Sequence, residues 1–473
     1  MATSRLWTRT FADRSNWAFM NYRSVSMAGR AEEWRVAQAA VGAPRASGDL
    51  AGAKPTLVLK FPRSSTLLYP AVVVSLSWSA VTILYSLHLS TLLLFSSGQA
   101  ARTSLLIACP IIAGSLLGSW RGSAGTGRLG EMPTHREPAL AVIAGRVRRC
   151  WRLWMLLAAF ETAASGGLPL VWILTNGPKN AFDYGISSLH GLVDGLLIAL
   201  ATTSFALFLY SGDRRHLRIP VFAFFWSILI VSRGMCLVML LECGIVYARL
   251  RRTMARTAAG SLVGVAAFVL GFGYLGDLRG GVGVFRNLAQ PTGNYPDWAP
   301  SGLLWAYIYV TTPINNLMLT MRTIRPSYDP LFPNTISTLF PTVLRAVLYK
   351  AGAAHTAVSG ALVIDALNVS TAFTGPFEDM GVAGVAGFGA VAGFVCARYW
   401  HGAGFRNIFF FTVFTSALSL TIFYNLFFDL PLLGQLIWFS YFTCMPKNQT
   451  GSALVSGQAG QACLTDELQR VGK

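Results

Sequence analysis

The chain has 473 residues, of which 53% are apolar and only 12% charged. Ordinary globular chains are about 25% charged, so the shortage of charge excludes both a water-soluble enzyme and a disordered protein. The excess of 38 Lys+Arg over 20 Asp+Glu, net +18, reads as the loop charge bias of a polytopic membrane protein and not as a nucleic-acid footprint.

Residues 1–63 are polar and basic, with Arg5, Arg9, Arg14, Arg23, Arg30, Arg35 and Arg45 and few acids. They are expected to form a disordered cytoplasmic tail; the composition also resembles an organellar transit peptide. Met20 and Met27 are candidate alternative starts. Apolar runs then predict membrane spans at 66–88, 102–119, 151–172, 187–210, 217–232, 234–249, 258–276, 380–398, 405–421 and 423–442. A helix needs about 20 apolar residues to cross a bilayer. The stretch 217–249 is split in two because Ser232-Arg233-Gly234 interrupts it; glycine permits a reversal, and arginine belongs at the water boundary. A polar cytoplasmic tail closes the chain at 443–473. The seven scattered cysteines form no metal-ligand spacing, and no disulfide framework is expected.

Arginines test this topology. Alternate loops hold Arg121, Arg128, Arg136, Arg146, Arg148, Arg149 and Arg152, then Arg214, Arg215 and Arg218, then Arg249, Arg251, Arg252 and Arg256, then Arg398 and Arg406. The opposite loops hold little beyond Arg102, Lys179 and Arg233 before residue 277. The expected fold is therefore an all-α bundle of about ten spans, with both termini cytoplasmic and one long external loop at 277–379. In that loop Trp298, Leu303, Leu304, Trp305, Tyr307, Ile308 and Tyr309 predict an interfacial helix with an aromatic belt. Pro313, Pro326, Pro330, Pro333 and Pro341 predict short pieces after it.

Three acids fall inside predicted spans: Glu161, Asp194 and Glu242. An ionisable group at membrane depth is a functional candidate by default. Glu161 precedes Gly166-Gly167-Leu168-Pro169, a run that breaks its helix, and His190 opens the following span. On the external side stand Arg233, Arg279, Arg286, Arg322, Arg325 and Arg345, with Asp277, Asp297, Asp329, Asp365, Glu378 and Asp379 as acidic neighbours. These arginines could be ion-paired to those acids. Their planar, permanently charged forks equally suit phosphate or pyrophosphate. No nucleotide-binding fingerprint occurs, so any chemistry is expected to use an already activated substrate.

Several motifs occur in a fixed order. Gly166-Gly167-Leu168-Pro169, Leu189-His190-Gly191-Leu192 and Ser232-Arg233-Gly234 come first. Gly271-Phe272-Gly273-Tyr274-Leu275-Gly276-Asp277-Leu278-Arg279 and Tyr307-Ile308-Tyr309-Val310-Thr311-Thr312-Pro313-Ile314-Asn315-Asn316-Leu317 follow. Asn368-Val369-Ser370-Thr371-Ala372-Phe373 then leads to Phe377-Glu378-Asp379-Met380-Gly381-Val382-Ala383-Gly384. Over residues 64–442 this order resembles the bacterial oligosaccharide repeat-unit polymerases, the O-antigen (Wzy-type) polymerase group. Glu378-Asp379-Met380 stands where an aromatic-acid-aromatic string is commoner in that family.

The resemblance implies a GT-C-like bundle in the bacterial inner membrane, needing neither cofactor nor metal. It would move a growing glycan from undecaprenyl pyrophosphate onto the next lipid-linked repeat unit at the periplasmic face. A chain-length regulator and a flippase are the implied partners, besides membrane lipid. On this reading Arg233 and Arg279 hold the leaving pyrophosphate, with Arg322, Arg325 and Arg345 in support. Asp277, Glu378 and Asp379 are the first candidates for the base, before His190. An O-antigen ligase-like glycosyltransferase shares the donor and differs in acceptor; a lipid-linked oligosaccharide flippase is the transport alternative.

Overall fold

A computed structural model describes residues 68–124, 136–175, 177, 179, 183–250, 264, 282–341, 344, 345, 347, 360–364, 367–402 and 404–444. The basic tail, nearly all of the polar tail, the expected span at 258–276 apart from Gly264, and Asp277 and Arg279 lie outside the described residues. Among the described residues the structure is helical, with no strand beyond an isolated Ser90–Pro291 bridge. The helices are α1 (Pro70–Ser86), α2 (Ser97–Ala124), α3 (Arg136–Ser165), α4 (Pro169–Leu174), α5 (Leu189–Ser211), α6 (Arg218–Leu229) and α7 (Arg233–Leu250). They continue with α8 (Val282–Ala289), α9 (Ser301–Thr323), α10 (Pro333–Ile336), α11 (Thr374–Trp400), α12 (Phe405–Ser419) and α13 (Leu430–Thr443).

Four stretches are long and apolar enough to cross a membrane: Ser97–Trp120, Leu140–Leu174, Leu189–Ser211 and Thr374–Trp400, with Pro70–Ser86 a shorter apolar helix. Helices also occupy the expected positions of the remaining described spans. However, α6, α12 and α13 have 12, 15 and 14 residues. At 1.5 Å per residue they reach about 18, 22 and 21 Å, short of the roughly 30 Å hydrocarbon layer. Length and composition thus establish four candidate crossings.

Apolar side chains gather into two cores. One joins α3, α5, α7, α12 and α13 around Trp154, Leu196, Val246, Phe409 and Phe439. The other joins α1, α2, α9 and α11 around Trp78, Ile111, Ile308, Phe373 and Val385. Glycines set the closeness of α2 and α11: a Cβ on Gly114 would collide with the Ala390 carbonyl, and one on Gly393 with the Ile111 carbonyl. Backbones that approach this closely gain dispersion contact along their whole length.

The two ends of the first core differ in chemistry. At one end the Arg249 guanidinium donates to the Trp400 carbonyl and lies 4.4 Å from the Trp400 ring centroid. Arg146 donates to the Tyr441 carbonyl at 2.8 Å, and Arg406 stacks on Phe410 at 5.3 Å. The opposite end carries Glu161, His190, the Ser232–Gly234 turn and Asp429.

Four sequence expectations change. Arg146, Arg148, Arg149 and Arg152 lie within α3 and not in a loop, because good helix formers carry the helix back through the basic run. The aromatic run of the external loop is not a surface helix. It begins a 23-residue helix, α9, in which Leu304, Ile308, Thr311, Asn315 and Asn316 are all fully buried. Trp298 lies before that helix and is 85% exposed. Pro313 does not break the chain either: it sits inside α9, where its fixed φ suits a helix, although the bond to Tyr309 is forfeited and the ring crowds that carbonyl. Finally, the last helix starts at Leu430, not 423. Asp429 caps it by accepting from the Leu430 amide at 2.9 Å, and Pro431 occupies its first turn.

Candidate functional site

The Gly166-Gly167 break builds the first part of the site. Gly166 and Gly167 adopt φ of +76° and +138°, values that glycine alone tolerates readily. This ends α3 and lets Pro169 open α4. Glu161, four residues before Ser165 at the end of α3, is thereby left 1% exposed and facing the start of α5. His190 stands there between two carboxylates. Its Nδ1 is 3.3 Å from Glu161 Oε2, and its Nε2 is 3.5 Å from Asp194 Oδ2, one turn further along α5. The Ile186 amide donates to Glu161 Oε1 at 3.4 Å, and the Tyr184 ring meets the imidazole edge-on at 5.4 Å. Burial pushes the Tyr184 phenol above its ordinary range, against a hydrogen bond with Thr162 that lowers it. The imidazole is 30% exposed and the Asp194 side chain 15%, so the carboxylate–imidazole–carboxylate string runs from the core to an accessible surface.

That surface is a cavity of about 220 Å³. Asp194 and Ile198 come from α5; Ser232, Gly234, Val238 and Glu242 from the turn and α7; Ser416 from α12; Tyr424, Asp429 and Gln435 from α13 and the segment before it. Close contact of α5 with the start of α13 makes this possible, because a Cβ on Gly195 would strike the Pro431 carbonyl. Arg233 sits exposed between two lining residues, Ser232 and Gly234. Arg345 donates to the Ser337 carbonyl at 3.1 Å and lies within electrostatic reach of Asp429. Two of the five predicted arginines therefore flank the cavity.

The other predicted residues separate from it. Asp379 is fully buried and accepts four hydrogen bonds: from the Asn334 amide at 3.0 Å, Asn334 Nδ2 at 2.9 Å, the Thr335 amide at 2.8 Å and Thr335 Oγ1 at 2.5 Å. Its carboxylate anchors the first turn of α10, which disfavours it as a base. Glu378 is 9% exposed beside the kink in α11, where Gly381 takes φ +61°; its carbonyl accepts from the Ser327 amide at 2.8 Å. Arg322 and Arg325 are exposed at and just after the end of α9. Arg286 pairs with Asp297 at 3.0 Å, the ion-paired arrangement that the loop composition allowed. Asp365 lies outside the described residues.

Asp429, Tyr424, Gln435 and Ser416 were not among the sequence candidates. The signal for Asp429 was present, since an Asp-Leu-Pro run is a helix start and not a mid-span sequence. Ser416 and Gln435 carried no comparable signal. No family model, curated protein or solved structure matches the chain.

Proposed function

We propose that this protein is a membrane polysaccharide polymerase of the repeat-unit class, set in a bacterial inner membrane with about ten spans and both termini cytoplasmic. The observation that carries the reading is the Glu161–His190–Asp194 string, ending at a cavity that Arg233 and Arg345 flank. In the proposed reaction an acceptor sugar hydroxyl attacks the anomeric carbon of the lipid-linked chain. The new glycosidic bond forms as the bond from that carbon to the pyrophosphate oxygen breaks, and undecaprenyl pyrophosphate leaves with the electron pair. Asp194 takes the hydroxyl proton, backed by the His190 imidazole, whose positive form Glu161 stabilises. Arg233, with Arg345 behind it, offsets the charge developing on the leaving group. Arg279, outside the described residues, is the companion that the family resemblance implies.

The test is a deletion strain analysed by gel for surface and lipid-linked glycan, complemented with wild type, Arg233→Ala, Arg279→Ala or His190→Ala. Loss of the long-chain ladder with single repeat units retained, rescued only by wild type, supports a polymerase. An unchanged ladder in the deletion strain removes the reading. Intact polymer left on its carrier would point to a ligase.

A further inference from the structure

We propose that the inner end of the same cavity binds a small monovalent cation, sodium, between the carboxylate of Glu242 and the amide oxygen of Gln435. Glu242 lies nine residues beyond Arg233 on α7, about 13 Å further in along the helix axis. It is fully buried, and two neutral hydroxyls donate to it: Thr202 Oγ1 at 2.9 Å and Ser416 Oγ at 3.5 Å. Three of the cavity-lining residues are acidic, Asp194, Glu242 and Asp429, and none is basic. A carboxylate so placed requires a compensating positive charge or a proton.

The second observation is independent of the acids. Gln435 lines the cavity, is 3% exposed, and its Oε1 has no hydrogen-bond partner. Buried polar atoms are almost always satisfied, and an exception calls for a partner such as an ordered water or an ion. A proton on Glu242 could serve only one bond to that amide oxygen, whereas a hard cation is ligated by carboxylate, amide and hydroxyl oxygens together. A transition-metal or other polydentate site is disfavoured. Among the described residues no three His, Cys, Asp or Glu side chains come together in a way that could hold a metal ion. The acids nearer the mouth already have cationic neighbours, His190 beside Asp194 and Arg345 within electrostatic reach of Asp429, which leaves Glu242 as the carboxylate for a cation at the inner end. Sodium binding at this site is independent of the glycan chemistry and is measured with no glycan present.

The experiment is equilibrium binding of radioactive sodium to the purified full-length chain in detergent, against a choline chloride background. We expect saturable binding, displaced by unlabelled sodium chloride but not by choline chloride. Gln435→Leu, which nearly conserves volume, should weaken it about tenfold or more, and Glu242→Gln should abolish it. Because Glu242→Gln removes a buried charge and could alter folding, its monodisperse elution is checked, and Gln435→Leu decides the matter if it fails. The absence of saturable sodium binding in wild type overturns the proposal, as does unchanged affinity in Gln435→Leu.

Discussion

Thr335 donates twice to one oxygen of Asp379, from its backbone amide at 2.8 Å and its hydroxyl at 2.5 Å. With Asn334 supplying two more donors to the other oxygen, a carboxylate at the kinked start of α11 fixes the first turn of α10. Those contacts join residues 44 and 45 positions apart and place the segment leading to Arg345. Substituting Asp379 by Ala leaves four donors without their acceptor and should destabilise the fold by about 3 kcal/mol. Asp379→Asn should cost less, because one oxygen remains to accept from Asn334. Thermal melting of the purified protein checks both; a midpoint unmoved in Asp379→Ala would deny the anchoring role.

His190 should behave differently. It is partly accessible and bracketed by Glu161 and Asp194, so His190→Ala is expected to lower glycan extension by about 10²–10⁴-fold, the usual range for a lost acid–base group. Asp194→Asn should fall in the same range, while Glu161→Gln should lose less, since it acts through the imidazole. Extension of a lipid-linked repeat unit by purified protein measures all three, with melting temperature as the folding control. Equal rates in His190→Ala and wild type would dismiss the proposed proton path.

Arg233 tests the charge proposed to develop on the leaving group. Arg233→Ala should slow extension by about 10²–10³-fold, comparable to removing one preorganised donor from an oxyanion site. Lysine keeps the charge but lacks the planar fork, so Arg233→Lys should recover only part of the loss. The quantity to follow is the single-turnover rate at saturating donor. Full recovery by lysine would show that charge alone is needed there.

The α2–α11 contact makes a structural prediction independent of activity. A side chain at Gly114 or Gly393 has no room beside the Ala390 or Ile111 carbonyls, so Gly393→Val should force the helices apart and cost about 1–3 kcal/mol. Gly145 is the matched control, because a Cβ added there would meet nothing within 4 Å. Gly145→Ala should leave the melting midpoint unchanged or raised. Loss of monodispersity in the first variant alone would fit this packing.

Much of the architecture was legible because hydrophobic runs and chain breakers are local properties. The Gly166-Gly167-x-Pro169 break and the reversal at Ser232-Arg233-Gly234 follow from the residues standing there. So does the collection of Arg146, Arg249 and Arg406 away from the Glu161 end. Asp429 and Pro431 signalled the start of α13 at Leu430, but the apolar run around them set the expected span at 423–442. By contrast, the burial of α9 could not be read from its aromatics. An exposed amphipathic helix and a buried helix with polar side chains share that pattern until a partner is known. Asn315 shows the difference: in the fold it bonds Tyr85, the Leu94 amide and the Leu92 carbonyl, each more than 220 positions away.

The same physical division governs the site. Sequence alone determined which groups were unusual, because a Glu, an Asp or a His inside an apolar run is expensive wherever the run folds. Tertiary structure alone decided their roles. It placed Asp194 against His190 and Asp429 across one cavity, left Gln435 Oε1 without a partner, and closed Asp379 inside four hydrogen bonds. A side chain's chemistry is carried by its own atoms, whereas its burial and its partners depend on residues tens to hundreds of positions away, which meet only when the helices pack.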